Sequence, residues 1–546
     1  MRDRGLKQSI LPNSLNKLAL DWDNYVLFNS IEFIFFFLPI TYALYAYTSI
    51  KIGKEAGIIS LVLASLFFYG WWNPAYLVLL LLSMVFNFQI GKRLGSSPNK
   101  KLLCVGVTSN LALIAYYKYA GFLVFNLNTL TGAGINVGDI LLPLAISFFT
   151  FQQIAYLVDS YRGITKEYNF VHYSLFVSFF PQLIAGPIVH HKEMLPQFDQ
   201  SARYSFNNND FAIGISIFAI GLFKKTVLAD GIAGYASPAF SAADSGIQLD
   251  FFEAWGGALA YTFQLYFDFS GYSDMAIGVA RMFGIILPLN FYSPYKATNI
   301  SEFWKRWHMT LSRFLRDYVY IPLGGNRTGN TSRFKNLFIT MLLGGLWHGA
   351  GWNFVIWGAL HGIYLICNHG WQSIVLAPGN AISKLRSYQF FSWALTFIAV
   401  VVSWVFFRAE TFTGATSILQ SMVGLNGASI PNAIWVRCVD MLPLLSTLPI
   451  ETKIGGGVYF VMNWVWVIAL ISISVLMPST HDLFRKQSGD LTEKPLNNDH
   501  AFWPLSRYSA SVIWSPTTKW SVICSLALVL GMLTLSQVSE FLYFQF

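Results

Sequence analysis

Charged residues are scarce in this sequence, at 12% of 546 positions. An ordinary soluble domain carries about 25%, and the deficit here extends along nearly the whole chain, with a mean hydropathy of +0.48. The apolar runs are long and lack the alternation of strands. Only helices or closed barrels satisfy backbone groups in lipid. The composition therefore disfavours a string of soluble domains and predicts an all-α polytopic membrane protein.

Cysteine and the common catalytic signatures are also scarce. The four cysteines, Cys104, Cys367, Cys438 and Cys524, are isolated and form neither a CxxC pair nor a metal-binding spacing, so we interpret them as buried or lipid-facing thiols. The sequence contains no G-x-S-x-G elbow, P-loop, HExxH or dinucleotide fingerprint. We therefore expect no bound cofactor and no metal site.

The cations of this chain occur in short clusters, although the net charge of +9 would by itself invite a nucleic-acid interpretation. Clusters between apolar runs are typical of membrane-protein loops, so we expect no nucleic-acid partner. The loop after the first apolar segment carries Lys51 and Lys54, and the loop after the third carries further cations within 92–101. The loop between the second and third segments, at 71–74, carries no cation. The positive-inside rule then places both basic loops in the cytoplasm and the N-terminus outside, although the basic N-terminal tail argues the other way.

About a dozen apolar segments approach the roughly 20 residues of a membrane span. Several are short or interrupted by Gly and Pro, which predicts tilted, re-entrant or interfacial helices among them. The run that begins at Phe28 is too long for a signal peptide, so it is the first predicted span. The candidate segments are 28–50, 57–71, 74–90, 102–123, 140–158, 173–188, 211–228, 254–283, 337–346, 352–366, 390–407, 458–477 and 520–536.

The segment 301–320 is dense in aromatic and basic residues. Ser301 or Asn299 is a plausible helix cap, and a continuous helix would place Trp304 and His308 on one face. The segment can be an interfacial anchor with tryptophan at the lipid headgroups, or it can contribute His308 to a site. Asp317 directly follows Arg316 and can be a local ion-pair partner.

The segment 343–362 is glycine-rich and holds a histidine at predicted membrane depth. Its glycines allow close backbone approach and suit a broken or re-entrant helix. A titratable intramembrane side chain is a functional-site hypothesis by default, yet His348 can equally hydrogen-bond a neighbouring helix. Asn353 and His361 add polar groups, of which His361 is more typical of packing. A neutral imidazole can take a proton from a hydroxyl, as acyl transfer from a thioester requires.

Other polar groups favour structural interpretations. Asp268 and Asp274 lie in a long apolar run, where we expect arginine partners. Asp159 lies near Arg162 in sequence. The pair His190-His191 follows Gly186-Pro187 in a predicted loop, and adjacent histidines project differently, so the pair predicts no metal site.

Six stretches together resemble the membrane-bound O-acyltransferases, in particular the bacterial branch that contains the alginate O-acetyltransferases. The most specific are EFWKRWHMTLSRFLRDYVYIPLGGNR at 302–327 and MLLGGLWHGAGWNFVIWGALHG at 341–362. The others are AISFFTFQQIAYLVDSYR at 145–162, FFPQLIAGP at 179–187, LFKKTVLA at 222–229 and the segment 261–290. The resemblance covers most of 28–410.

The resemblance implies a ring of roughly a dozen transmembrane, re-entrant and interfacial helices around a central tunnel. It implies that His348, in the WHG motif, is catalytic and that His308 is the second functional polar residue. It divides the chain into a polar N-terminal extension (1–27), a membrane core (28–408) and a C-terminal region with polar loops and final spans (409–546). The tunnel-lining candidates, by adjacency alone, are Trp304, Trp307, Arg316, Asp317, Trp347 and Asn353.

The implied activity is transfer of an acetyl group from a cytoplasmic thioester, acetyl-CoA or another, to a hydroxyl of an exported polysaccharide or cell-envelope glycan. The implied setting is the bacterial inner membrane, in contact with lipid and with a periplasmic acetyl-handling protein as partner. One alternative is D-alanyl transfer to teichoic acids, although such proteins lack most of the region after Phe407. Another is a membrane transporter, which the lack of two matching halves disfavours.

Overall fold

The computed structural model describes residues 27–165, 169–184, 186–198, 207–327, 329–375, 382, 385–448, 450–487, 512–535 and 542. Residues 1–26 of the predicted N-terminal extension lie outside the described residues, as does much of the polar segment before the last helix. The prediction of three regions stays a prediction.

The described residues of the first half of the chain are mostly helical, and they include three short π-helical turns that interrupt or precede the α-helices. The π turns are Glu32–Phe37, Ala115–Tyr119 and Lys224–Ala229. The α-helices are α1 Leu38–Lys51, α2 Lys54–Trp72, α3 Pro74–Ser96, α4 Lys100–Ile114, α5 Ala120–Thr131, α6 Ile146–Tyr161, α7 Phe170–Ser178, α8 Phe180–Leu183, α9 His191–Phe198, α10 Asn208–Phe223 and α11 Asp230–Asp244.

The second half adds longer helices and two very short strands. The strands β1 Ser429–Pro431 and β2 Glu451–Lys453 pair in parallel. A fourth π turn spans Arg316–Tyr320, and 3₁₀ turns span Pro294–Lys296 and Pro443–Thr447. The α-helices are α12 Phe251–Met282, α13 Ile300–Trp304, α14 Met309–Leu315, α15 Asn330–His348, α16 Trp352–Ile374, α17 Arg386–Arg408, α18 Phe412–Met422, α19 Asn432–Met441, α20 Gly457–Leu476, α21 Thr480–Phe484 and α22 Thr518–Leu533.

The predicted helical membrane fold is confirmed. Within the described residues, six helical stretches are long and apolar enough to cross a membrane. They are Glu32–Lys51, Lys54–Trp72, Pro74–Ser96, Asn208–Asp244, Arg386–Arg408 and Gly457–Phe484. The predicted segment 173–188 is not one continuous helix, because the chain turns at Phe179 between α7 and α8 and is irregular over 186–190.

The longest helix, α12, is the centre of the packing. It starts at a capping box in which Asp250 and Glu253 bond each other's backbone N–H groups. Glycines let α10 approach it closely: a Cβ on Gly278 would lie 2.6 Å from the carbonyl oxygen of Gly214, and one on Gly271 would lie 2.8 Å from that of Gly221. Small residues at such crossings allow helix backbones to meet in lipid.

The buried carboxylates of α12 pair with lysines, so the expectation of arginine partners was wrong. Lys225 Nζ lies 2.6 Å from Asp268 Oδ1 and 2.7 Å from Asp230 Oδ1. Lys224 Nζ lies 2.6 Å from Asp274 Oδ2. Both lysines belong to the π turn between α10 and α11, which is packed against α12. Pairing removes the large cost of isolated charges in the interior.

Candidate active site

The aromatic and basic segment 300–320 is not the continuous helix that its spacing predicts. Asn299 caps α13 by accepting from the Glu302 N–H, as predicted, but α13 ends at Trp304 and α14 starts at Met309. His308 between them has φ +42°, a left-handed conformation that is uncommon outside glycine and is found at functional sites. The interfacial-anchor interpretation is wrong as well, because Trp307 and His308 are buried.

A neighbouring asparagine fixes the orientation of the His308 ring. Asn290 Oδ1 lies 3.0 Å from His308 Nδ1 and also accepts from the Thr310 hydroxyl at 2.9 Å. An amide oxygen can only accept, so Nδ1 of His308 carries the proton and Nε2 carries the lone pair. Phe269 packs edge-on against the same ring, with centroids 4.8 Å apart. In its neutral form, the His308 ring is therefore held in one tautomer.

His348 is the last residue of α15 and lies in an aromatic enclosure. Its ring centroid is 4.8 Å from that of Trp347 and 5.1 Å from those of Trp357 and Phe407. Only 4% of the residue is exposed. The His308 ring centroid is 6.5 Å from that of His348. The fold thus brings together the two histidines that are 40 positions apart in sequence.

A hairpin of α15 and α16 positions His348. The chain is extended at Gly349 and Gly351, with φ of −163° and −162°, so α15 ends directly after the histidine. A Cβ on Gly349 would lie 2.1 Å from the Phe354 ring. The predicted break in the glycine-rich segment is therefore confirmed, and His348 lies at its edge and not in the middle of a flexible patch.

His361 is committed to structural hydrogen bonds. Its Nδ1 accepts from the Trp304 indole N–H at 3.3 Å, so Nε2 carries the proton and donates to Ser403 Oγ at 3.0 Å. Ser403 in turn donates to the carbonyl of Val400 at 2.7 Å. Both ring nitrogens of His361 are occupied, so it is not placed to transfer a proton.

The tunnel-lining candidates separate into four buried residues and one local ion pair. Trp304, Trp307 and Trp347 all pack in the aromatic layer around the histidines; Trp307, for example, lies 4.9 Å from Trp404 between ring centroids. Asn353 uses its amide N–H group to bond the carbonyl of Ala409 at 2.7 Å. The remaining two, Arg316 and Asp317, form a local ion pair at 2.8 Å, and the Arg316 side chain is 57% exposed.

A large cavity lies on one side of the histidines. Its volume is 1690 Å³, above the about 300–1,000 Å³ of sites for drug-sized ligands. The residues of α15 that line the cavity are Arg333, Leu337, Thr340 and Met341. His348 lies seven residues after Met341, which is about 10 Å along the helix axis. Trp304 and Thr310 line the cavity, whereas the two histidines do not. Met309, which directly follows His308, also lines the cavity, so the cavity reaches the immediate neighbour of that histidine.

The cavity is strongly cationic. Among the described residues, its lining contains six lysines and arginines and two glutamates, an excess of four positive charges. Arg313 bonds Glu193 at 2.8 Å and Arg306 bonds Glu302 at 2.9 Å, which neutralises both glutamates. Within the described part of the chain, Lys305 and Arg333 form no ion pair with a carboxylate. The lysines and arginines of the lining are Lys296, Lys305, Arg306, Arg313, Arg316 and Arg333.

The pair His190-His191 lies beside the cavity in a buried polar cluster. Tyr318 donates to Asp159 at 2.7 Å and lies 3.2 Å from His190 Nδ1, while His191 Nδ1 lies 3.4 Å from the same carboxylate. Burial, with a further contribution from Arg313, lowers the pKa of His190 to about 3. Burial likewise lowers the pKa of His191 to about 4. Both rings are neutral near pH 7, which fits a packing role.

The sequence did not single out two residues of the site, Asn290, which ends the matching segment 261–290, and Lys118. Asn290 fixes the His308 tautomer from a loop 18 positions upstream. Lys118 donates to the carbonyl oxygen of Trp347 from a helix 229 positions away. The signal for Lys118 was present, since it is a lone cation within a long apolar run. A buried imidazole in its neutral form can remove a proton from an acceptor hydroxyl, and a cationic cavity nearby can bind an anionic donor.

Comparison with known proteins shows extensive similarity to one class of membrane enzymes. The model of the membrane-bound O-acyltransferase family matches residues 158–409. The chain is 46% identical over 440 residues to a peptidoglycan O-acetyltransferase of Helicobacter pylori, covering 74% of this chain and 81% of that protein.

Two further relatives extend the comparison. The chain is 38% identical over 534 residues to a probable alginate O-acetylase, AlgI, of Azotobacter vinelandii, covering 95% of this chain and 100% of that protein. It is 31% identical over 236 residues to a teichoic acid D-alanyltransferase of Streptococcus thermophilus, covering 42% of this chain and 57% of that protein. Similarity over nearly the whole length is thus found with an acetyl-transferring relative.

Proposed function

The chain belongs to the membrane-bound O-acyltransferase family, and from this premise we propose that it transfers an acetyl group from a cytoplasmic thioester to a hydroxyl of a cell-envelope or exported glycan. Membership of the family makes it an acyltransferase and a multi-pass membrane protein. The observation that carries the proposal is the placement of His348 and His308, 6.5 Å apart between ring centroids, beside a cationic cavity that Met309, the neighbour of His308, lines.

In the proposed reaction His348 is the general base. Its neutral imidazole takes the proton of the acceptor hydroxyl while that oxygen attacks the thioester carbonyl. The C–S bond then breaks, and the thiolate takes that proton from the His348 imidazolium and leaves as a thiol, which restores the neutral base. The three groups must meet within about 3–3.5 Å. His308, held in one tautomer by Asn290, positions the acceptor or assists the proton transfer through Nε2.

The cavity supplies the donor side of this proposal. The positive-inside rule places the end of α1 that carries Tyr45 at the cytoplasmic face. The Tyr45 hydroxyl donates to the carbonyl of Phe283. Pro288 and Leu289, which follow Phe283 closely in sequence, line the cavity. The contact between Tyr45 and Phe283 supports the proposal that the cavity opens to the cytoplasmic face. Phosphate groups, such as those of acetyl-CoA, bind well to clustered lysine and arginine. His348 does not line the cavity, so the acyl end of the donor would have to pass lining residues such as Trp304 and Thr310 to reach it.

The proposed setting is the inner membrane of a bacterium, with lipid around the ring of helices and a periplasmic acetyl-handling protein as partner. D-alanyl transfer is the second candidate, because a relative with that name shares the core. Coverage of the full length by an acetylase relative favours acetyl transfer. Transport of a solute is disfavoured by membership of an acyltransferase family.

Glycan analysis tests the proposal directly. Cells that lack this chain, and the same cells carrying it on a plasmid, are compared by mass spectrometry of their envelope and exported glycans. We expect acetyl esters on one glycan to disappear without the chain and to return with it. Loss of D-alanyl esters instead would redirect the assignment to the second candidate. Unchanged esters of every kind would overturn the proposal.

A second prediction concerns the donor. The double variant Lys305→Gln with Arg333→Gln removes two cavity cations that have no carboxylate partner among the described residues, so we expect the KM for acetyl-CoA to rise about tenfold, with kcat nearly unchanged. Removing a hydrogen bond to a charged group typically costs about 1.5–3 kcal/mol, and solvent at the cavity mouth reduces this value. Initial rates in proteoliposomes measure both constants. Lys335→Gln, an exposed residue of α15 outside the lining, is the control, and an unchanged KM in the double variant would contradict the prediction.

A further inference from the structure

The carboxyl end of α15, which carries His348, is held by side chains from the junction of α4 and α5. Lys118 Nζ donates to the carbonyl oxygen of Trp347, and the Tyr119 hydroxyl donates to that of Leu346 at 2.6 Å. Both carbonyls belong to the last turn of a helix, where the last four carbonyl groups have no partner within the helix. Two adjacent residues of one distant helix thus satisfy two adjacent carbonyls beside the proposed base.

The π turn Ala115–Tyr119 belongs to a longer contact surface. Phe122 packs on Trp352 at 5.8 Å between ring centroids, and Asn126 accepts from the Trp352 indole N–H at 2.9 Å. The contacts therefore follow one face of α5 and support both arms of the hairpin around Gly349. π turns occur often at functional sites, and this one places Lys118 and Tyr119 at the start of the contact face.

The charge of Lys118 has an electrostatic consequence for His348. The carboxyl end of a helix carries a partial negative charge of about half an elementary charge, which favours a protonated histidine there. A general base must be neutral when its substrate arrives. When Lys118 is protonated, its ammonium group at the same helix end opposes that partial charge. The Nζ atom also lies 5.7 Å from the centroid of the Trp347 ring, and the His348 ring packs against the same Trp347 ring at 4.8 Å between centroids.

We propose that Lys118 is a positioning residue for acyl transfer: its ammonium group caps α15, holds the helix end in place and offsets the helix dipole so that His348 stays a neutral base. The inference rests on the proposed function of His348 as the base. Lys118 is not assigned a contact with either substrate. Tyr119 shares the mechanical part of the role, since its hydroxyl bonds the neighbouring carbonyl, but it contributes no charge.

Three variants test the charge of Lys118 and the hydrogen bonds that Lys118 and Tyr119 make to the end of α15. Lys118→Met keeps the length of the side chain and removes the charge and the donor, so we expect kcat for acetyl transfer to fall about tenfold or more. The KM for acetyl-CoA should stay within about twofold, because Lys118 does not line the cavity. Lys118→Arg should restore most of kcat. Tyr119→Phe, which removes only the neutral bond, should lower kcat by less than about threefold.

The measurement uses the full-length purified protein in proteoliposomes with acetyl-CoA, normalised to the folded protein recovered after size-exclusion chromatography. Lys101→Met, an exposed position of α4, controls for loss of a lysine from the same segment. If Lys118→Met does not accumulate, Lys118→Gln tests the charge by itself, because its amide can still donate but has no charge. Wild-type kcat in either uncharged variant, or an equal loss in Tyr119→Phe, would overturn the inference.

The failure of this inference is distinguishable from failure of the proposed function. An inactive His348→Ala variant together with fully active Lys118 variants rejects only the role of Lys118. An active His348→Ala variant rejects the proposed function itself, whatever the Lys118 variants show.

Discussion

Replacing His348 with alanine is expected to abolish acetyl transfer, with a loss of at least about 10³-fold in rate. General acid–base catalysis by a positioned side chain typically contributes about 10²–10⁴-fold. Of the four described rings that pack against His348, those of Trp347, Trp357, Phe407 and His308, only the His308 ring can accept a proton. The ring centroids of the two histidines are 6.5 Å apart, so His308 is not placed to occupy the position of the missing imidazole.

The measurement is the acetyl ester content of the affected glycan in cells that carry the His348→Ala variant, with the amount of protein in the membrane measured in parallel. His172→Ala is the matched control, since His172 pairs with Glu55 at 3.2 Å, outside the site. Normal protein with no ester is the expected result. Ester at the wild-type level would show that His348 is not the base.

The second large effect is expected from Gly345→Ala, in the contact between α15 and α16. A Cβ at this position would lie 2.3 Å from the carbonyl oxygen of Phe354 and 2.9 Å from the Cα atom of Gly358. Both atoms belong to the backbone, so no side-chain rotation relieves the clash and the helices must separate. Overpacking typically costs about 1–3 kcal/mol, and a backbone contact this short should reach or exceed the upper part of that range.

We therefore expect Gly345→Ala to lower the thermal stability and the yield of the protein, and to reduce activity in whatever fraction folds, because α15 carries His348. Thermal unfolding in detergent, followed by tryptophan fluorescence, measures the change. Gly370→Ala is the matched control on α16, because a Cβ there would meet nothing within 4 Å and alanine favours a helix. Equal unfolding temperatures for the two variants would contradict the predicted clash.

The sequence predicted His308 and His348 as candidate functional residues, because imidazoles at membrane depth are costly and both lie in specific motifs. It did not predict their arrangement. The spacing of Trp304 and His308 predicts one helix face, but the chain breaks at Lys305 and gives His308 a left-handed backbone. Helical periodicity describes a continuous segment, and it carries no information on a turn that Asn290 stabilises from another part of the chain.

The roles of the intramembrane charges were likewise only half determined. Asp268 and Asp274 had to find cationic partners, since an unpaired carboxylate in lipid is too costly. The choice of Lys225 and Lys224 depends on the π turn that presents them to α12. A pairing rule gives the sign of the partner, but which cation is near enough depends on helix packing.

The segment around His348 shows what the sequence determined by itself and what the tertiary structure decided. Composition determined an all-α membrane fold, because long apolar runs satisfy their backbone groups in lipid only as helices, and the glycines around His348 predicted the break there. The tertiary structure alone decided that His308 and His348 meet, that His361 is occupied by Trp304 and Ser403, and that Lys118 caps α15. These contacts join residues up to 229 positions apart, and contacts at that separation depend on how the helices pack, which local sequence patterns do not encode.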